Sequence, residues 1–188
     1  VRLGATAVGY SLYVGSPAQD RDLAQLCQVR KECTENDLPL VVWSYPRGKA
    51  VQEKGDRDSL YSVDYAARVA MEVGADIIKL NIPKKLSGEK LEKYKAFLEK
   101  HEETKPYIEL ENASDEARMR RVVESAGKTF VIVSGGGKVS DKDLVGKTEF
   151  CLKAGVTGLV YGRNMWQRPY AEALEMTKKI KQMMQKYA

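Results

Sequence analysis

Near-continuous apolar runs recur at about 6–14, 39–45, 76–82, 129–134 and 157–162. They lack the strict alternation of a half-solvated strand, as expected of parallel strands covered on both faces. Each run leads through a Gly-containing or polar loop into an amphipathic segment. Asp20 to Glu35 is the first. Asp58/Ser59 caps the second, with Val63, Ala66, Ala67, Ala70 and Met71 inward and Gly74 as its stop. Ser114 opens another, with Met119, Val122, Val123 and Ala126 inward and Gly127 at its end. Asp141 to Ala154 and Tyr170 to Tyr187 complete the set. Strands alternating with helices predict an α/β fold built of right-handed βαβ units on a parallel sheet.

Residues 84–112 break the rhythm. Leu86 through Glu103 reads as a charged helix, and Pro106 to Glu111 leaves room for an extra strand or a surface excursion. The segment is expected to be an insertion.

Composition adds bounds. At 188 residues, 43% hydrophobic and 30% charged, the chain suits one soluble globular domain over 1–188. No apolar stretch approaches the roughly 18 residues of a membrane span. The first residues show no signal-peptide pattern. Cys27, Cys33 and Cys151 are scattered and odd in number, which fits a reduced, cytoplasmic protein. The net charge of +5 comes largely from lysines alternating with Glu or apolar residues, a solvated helix pattern without the interleaved aromatics of a nucleic-acid surface. His101, the sole histidine, lies in a charged stretch expected to be a solvated helix, and one histidine without clustered cysteines makes no zinc site.

The chemistry gathers where the strands end. Lys79 interrupts the third apolar run, Asp76 to Ile82. A lysine there must be paired or face a cavity. Burial lowers a lysine's pKa, and a neutral amine is what attacks a carbonyl to form a Schiff base. A lysine snorkelling from a strand end fits that segment as well. Trp43 and Tyr45, two residues apart, project from one face of the second strand, as a core pair or, for the tyrosine, as a proton donor or acceptor. Ser134-Gly135-Gly136-Gly137-Lys138 and Gly162-Arg163-Asn164 end the last two strands, offering amides and cations to an anion. Neither has Walker A or G-x-G-x-x-G spacing, and no G-x-S-x-G elbow is present.

Val8 to Ser16, Val42-Trp-Ser-Tyr-Pro-Arg-Gly48, Gly74-Ala-Asp-Ile-Ile-Lys79, Val133-Ser-Gly-Gly136 and Tyr161-Gly-Arg-Asn-Met-Trp-Gln-Arg168 resemble, in order, the archaeal-type class I fructose-bisphosphate aldolases. The resemblance implies a (β/α)8 TIM barrel, of which about five βα units, from the family's fourth onward, lie in this chain. It implies Lys79 as the Schiff-base lysine, Tyr45 as the proton-transferring residue and Trp43 as a pocket wall. Ser134, Gly135, Gly136, Gly162 and Arg163 match loops that hold a substrate phosphate. It further implies no metal or cofactor, a phosphorylated sugar substrate, and homo-oligomers such as decamers. A strand-one aspartate of the family's pocket has no counterpart here, so the chain is expected to be a fragment or to complete its barrel with another chain.

Three functions are compatible with this reading. The first is a fructose 1,6-bisphosphate aldolase. The second is a sibling lysine-dependent carbon–carbon lyase or synthase acting on another phosphosugar. The third is a silent partial barrel that binds phosphate or partner chains.

Overall fold

The apolar runs become strands because their β-branched and aliphatic residues are buried by the crossover helices. The computed structural model describes residues 2–187. Its strands are β1 (Val8–Leu12), β2 (Leu40–Ser44), β3 (Ile77–Leu80), β4 (Phe130–Ser134) and β5 (Gly158–Val160). They form one five-stranded sheet in the order β1-β2-β3-β4-β5, every neighbouring pair parallel. The sheet is open, with β1 and β5 at its edges, whereas a closed barrel of this class takes eight strands.

The helices are α1 (Gln19–Glu35), α2 (Lys49–Glu53), α3 (Leu60–Glu72), α4 (Gly88–Glu99), α5 (Pro106–Glu111), α6 (Asp115–Ser125), α7 (Asp141–Lys153), α8 (Arg163–Trp166) and α9 (Tyr170–Gln185). Serine caps three of the crossovers. Ser59, Ser114 and Ser140 accept hydrogen bonds from the amides of Ser62, Ala117 and Asp143, satisfying donors at the starts of α3, α6 and α7.

Residues alternate along each strand between a helix-covered face and an open face. On β2, Leu40, Val42 and Ser44 are buried, and the Ser44 hydroxyl donates to Ala66 O of α3 at 2.8 Å. Ile78 and Leu80 of β3 and Val131 and Val133 of β4 join them in one core with Leu60, Val63, Ala66, Ala67 and Ala70 of α3. Each of the valine, leucine and isoleucine side chains contributes about 1.5–3 kcal/mol by leaving water. A smaller cluster of Leu144, Met176 and Ile180 seats α9 against α7. The opposite face carries Trp43, Lys79 and Ile132 and is uncovered, so Phe130 and Val160 are 59% and 41% exposed.

The crossover from β3 to β4 corrects one expectation. Residues 106–111 form helix α5, not a strand: Pro106 occupies the first turn, where its missing N–H costs nothing. Nor is the segment a loose excursion, since Tyr94, Leu98 and Tyr107 enter the main core. The Tyr94 hydroxyl accepts from the Tyr61 amide at 3.1 Å. His101 lies outside any α-helix, between α4 and a 3-10 turn at Glu102–Thr104, with its ring beside Phe97. Among the described residues no helix is long and apolar enough to cross a membrane, and all three cysteines are free thiols.

Candidate active site

Lys79 is the third residue of β3 and projects onto the open face. The parallel register sets Trp43 laterally opposite it. Tyr45, the next position of the same parity on the β2 chain, lies just beyond the strand's end. Lys79 Nζ donates a hydrogen bond to Tyr45 Oη at 2.8 Å. The Arg47 guanidinium flanks the same ring, 5.4 Å from its centroid. Lys79 is half-buried, less enclosed than its apolar flanks suggest, because the sheet face it occupies has no covering layer.

Just beyond the end of β3, at the next position of the same parity, Asn81 joins a polar chain that sequence reasoning missed. Its Nδ2 donates to Asp58 Oδ1 at 2.9 Å, and Lys84 Nζ donates to Asp58 Oδ2 at 2.7 Å. Ser134 Oγ at the end of β4 donates toward Asn81 Oδ1 at 3.1 Å and Leu80 O at 3.3 Å. Asp58 reads from sequence as a helix cap, yet Ser59 performs the capping and leaves the aspartate free to face the strand ends. Asn81 was findable: it shares the parity of Lys79.

The glycine turn after β4 divides its labour. The Gly135 amide donates to Val160 O at 3.0 Å and so extends the ladder. Its missing side chain is required by Tyr161, since a Cβ would lie 2.3 Å from that ring. Gly136 adopts φ +68°, a conformation costly for other residues. Among the described residues, the Gly136 and Gly137 amides find no acceptor within the chain, which leaves them open to an anion. Asn164, fully buried, buckles the turn to the next loop: Oδ1 accepts from the Val139 amide at 3.0 Å and Nδ2 donates to Gly137 O at 3.0 Å. Burial pushes the Tyr161 phenol up to about 12 while Thr148 shares a 2.8 Å hydrogen bond with it.

These elements surround one cavity of about 1240 Å³. Tyr45, Lys79, Ser134, Gly135, Gly136, Gly162 and Arg163 all line it, joined by Arg47, Asp58, Asn81 and Lys84. Trp43 is the sequence-selected residue that does not line it. Its indole lies over Gly9 of β1, where a Cβ would come within 2.1 Å of the ring.

A strand lysine paired with a tyrosine, opposite open glycine amides at the carboxyl ends of parallel strands, is the arrangement that proteins of the βα-barrel class present on their ligand-binding face. Comparison sharpens this. A family model describing DeoC/LacD family aldolases matches residues 1–168, and the chain belongs to that family. It is 34% identical over 171 residues to the class 1 fructose-bisphosphate aldolase of Halobacterium salinarum, covering 91% of this chain and 52% of the relative. The class 1 fructose-bisphosphate aldolase of Thermoproteus tenax is 36% identical over 170 residues, with 89% and 52% covered. Among solved structures, an archaeal fructose-1,6-bisphosphate aldolase with its catalytic Lys covalently bound to the carbinolamine intermediate of the substrate superposes with a TM-score of 0.75. It is 31% identical and spans 100% of this chain and 60% of that one. The chain thus spans about half the length of the curated relatives it matches.

Proposed function

We propose that this chain carries the lysine-bearing part of a class I, metal-independent fructose-bisphosphate aldolase. The observation that carries the reading is the 2.8 Å contact between Lys79 Nζ and Tyr45 Oη at the strand ends. The resemblance of this chain to Schiff-base aldolases supports it.

The Lys79 amine attacks the C2 ketone of fructose 1,6-bisphosphate, and loss of water from the carbinolamine leaves a protonated imine. Tyr45 accepts the proton of the C4 hydroxyl as the C3–C4 bond breaks. The bonding pair flows into the iminium to give an enamine, and glyceraldehyde 3-phosphate departs. Protonation at C3 and hydrolysis then release dihydroxyacetone phosphate and the free amine. The covalent intermediate supplies an electron sink at neutral pH without a Lewis acid. One phosphate rests on the Gly136 and Gly137 amides with Gly162 and Arg163 beside them. Homo-oligomeric assembly belongs to the same reading: Trp166 and Tyr170 are 70% and 82% exposed, and Trp166 lines the cavity.

The test is covalent. Incubation with dihydroxyacetone phosphate followed by borohydride reduction places an adduct on Lys79, located by mass spectrometry of peptides. An adduct on a different lysine rejects the assignment. A folded chain with no adduct favours a silent partial barrel, consistent with its five open strands.

A further inference from the structure

Asp58 is 7% exposed, and both of its carboxylate oxygens are engaged, Oδ1 by Asn81 and Oδ2 by Lys84. A carboxylate only accepts, so the Asn81 amide has one permitted orientation: its NH2 toward Asp58 and its carbonyl away. That carbonyl meets the Ser134 hydroxyl at 3.1 Å, and the other group within reach of the hydroxyl is the Leu80 carbonyl at 3.3 Å. Both are acceptors. The single Ser134 proton is therefore committed to the protein, and the direction of donation runs from Ser134 to Asn81 to Asp58.

At Ser134, whose proton is committed, what this chain presents to the cavity is lone pairs. Asp58, Asn81 and Ser134 line the same cavity as Lys79, and Asn81 is two residues from Lys79, just beyond the end of β3. Lone pairs suit a hydroxyl donor and disfavour phosphate oxygens, which are themselves acceptors. We infer that Asp58 is a positioning residue which, by orienting Asn81, makes Ser134 an acceptor, so that the Asn81–Ser134 pair forms a subsite for a substrate hydroxyl beside Lys79. The phosphate is thereby left to the open amides of Gly136 and Gly137. The substrate class rests on the aldolase reading; the direction of hydrogen bonding does not.

The experiment compares two ketones and one anion on the whole chain. Hydroxyacetone phosphate lacks the hydroxyl that dihydroxyacetone phosphate carries. In Ser134→Ala, borohydride trapping of dihydroxyacetone phosphate at subsaturating concentration falls about fivefold, the scale of one lost hydrogen bond. Trapping of hydroxyacetone phosphate and the calorimetric Kd for inorganic phosphate hold within about twofold. Equal losses with both ketones, or phosphate binding weakened several-fold, overturns the inference. Asp58→Asn supplies the positioning readout, because it lets the Asn81 amide turn and leaves the Ser134 proton only the longer contact to Leu80 O at 3.3 Å. In that background Ser134→Ala weakens phosphate binding, a coupling that a merely structural Asp58 would not produce. Absence of coupling overturns the inference. If the wild type traps neither ketone, the aldolase reading fails by itself and the phosphate cycle still decides the direction of donation. A wild type that binds no phosphate also overturns it, since no cradle would then stand beside the subsite.

Discussion

Lys79 Nζ reaches Tyr45 Oη at 2.8 Å although the residue laterally opposite Lys79 in the sheet is Trp43. The tyrosine leans back from beyond the end of β2, held there by paired backbone bonds. Its amide donates to Leu12 O at 2.9 Å, and its carbonyl accepts from the Val14 amide at 3.1 Å. A hydroxyl fixed in this way, with Lys79 Nζ on one side and the Arg47 guanidinium near its ring, is placed to meet a substrate proton without moving its backbone.

Replacing Tyr45 by Phe removes that hydroxyl and little else. Imine formation at Lys79, measured by borohydride trapping, should persist. Carbon–carbon cleavage, measured by release of glyceraldehyde 3-phosphate, should slow by roughly 10²–10⁴, the range of general acid–base contributions. Equal cleavage rates in the two proteins would remove Tyr45 from proton transfer.

The strands and their parallel order were legible because a buried parallel strand has a one-dimensional signature, an unbroken apolar run between turn residues. Lys79 stood out as the exception within such a run. The helix at 106–111 was not legible, because six residues that begin with a proline fit a short helix and an edge strand equally well until tertiary packing of Tyr107 decides. Asp58 was hidden for another reason. Its sequence neighbourhood offers a capping role, and only the fold brings Asn81 and Lys84, 23 and 26 residues away, onto its two oxygens. Trp43 shows what parity alone leaves open: it put the ring on the open face, but the indole lies over Gly9 and does not line the cavity.

Gly135 and Gly137 sit two apart in the same turn yet should respond differently to alanine. A Cβ on Gly135 would collide with the Tyr161 ring, which is held by its Thr148 hydrogen bond. The Gly135→Ala substitution should cost about 1–3 kcal/mol by overpacking. At Gly137 a Cβ would meet nothing within 4 Å, and the residue's φ is not positive. Gly137→Ala should change stability by less than about 0.5 kcal/mol, as surface substitutions generally do. Urea denaturation of the two variants settles the contrast, and equal losses would contradict the packing described.

Arg118 carries a fully buried guanidinium under the loop that follows β3. It donates to Lys84 O at 2.8 Å and approaches Glu111 at 3.5 Å, while Nη1 lies 3.6 Å from the half-exposed Asp115 carboxylate and, like Nε, makes no hydrogen bond among the described residues. Arg118→Met alone would leave Glu111, 11% exposed, without its main counter-charge. A loss of about 3–5 kcal/mol is expected, as for a broken buried pair. The double substitution Arg118→Met with Glu111→Leu should recover most of that loss, because the remaining charge is then gone too. Failure of the second change to rescue the first in urea denaturation would show that the Lys84 carbonyl contact, rather than the ion pair, is what Arg118 supplies.

Asp64 offers a pH-dependent test away from the cavity. It is 4% exposed on α3 and faces the Tyr107 hydroxyl of α5, Arg121 and Ser125 of α6, and Arg68 of its own helix. Burial raises its pKa above the usual carboxylate range, outweighing the hydrogen bond from Tyr107, the nearby Ser125 hydroxyl and the attraction of the two arginines. The native state therefore holds this proton more tightly than the unfolded chain does. The group's contribution is fully present below the ordinary value near 3.9, and it is lost as pH rises through the raised value. Asp64→Asn keeps an acceptor for Tyr107 while imitating the protonated form. Its stability relative to wild type should therefore increase as pH rises above about 4 and be smallest at the acid end. The lost attraction to Arg121 is already contained in that comparison, because it is one of the causes that set the direction of the shift. Urea midpoints measured across the interval read the trend directly, and a gap that widens toward acid would mean that Arg121, not burial, governs Asp64.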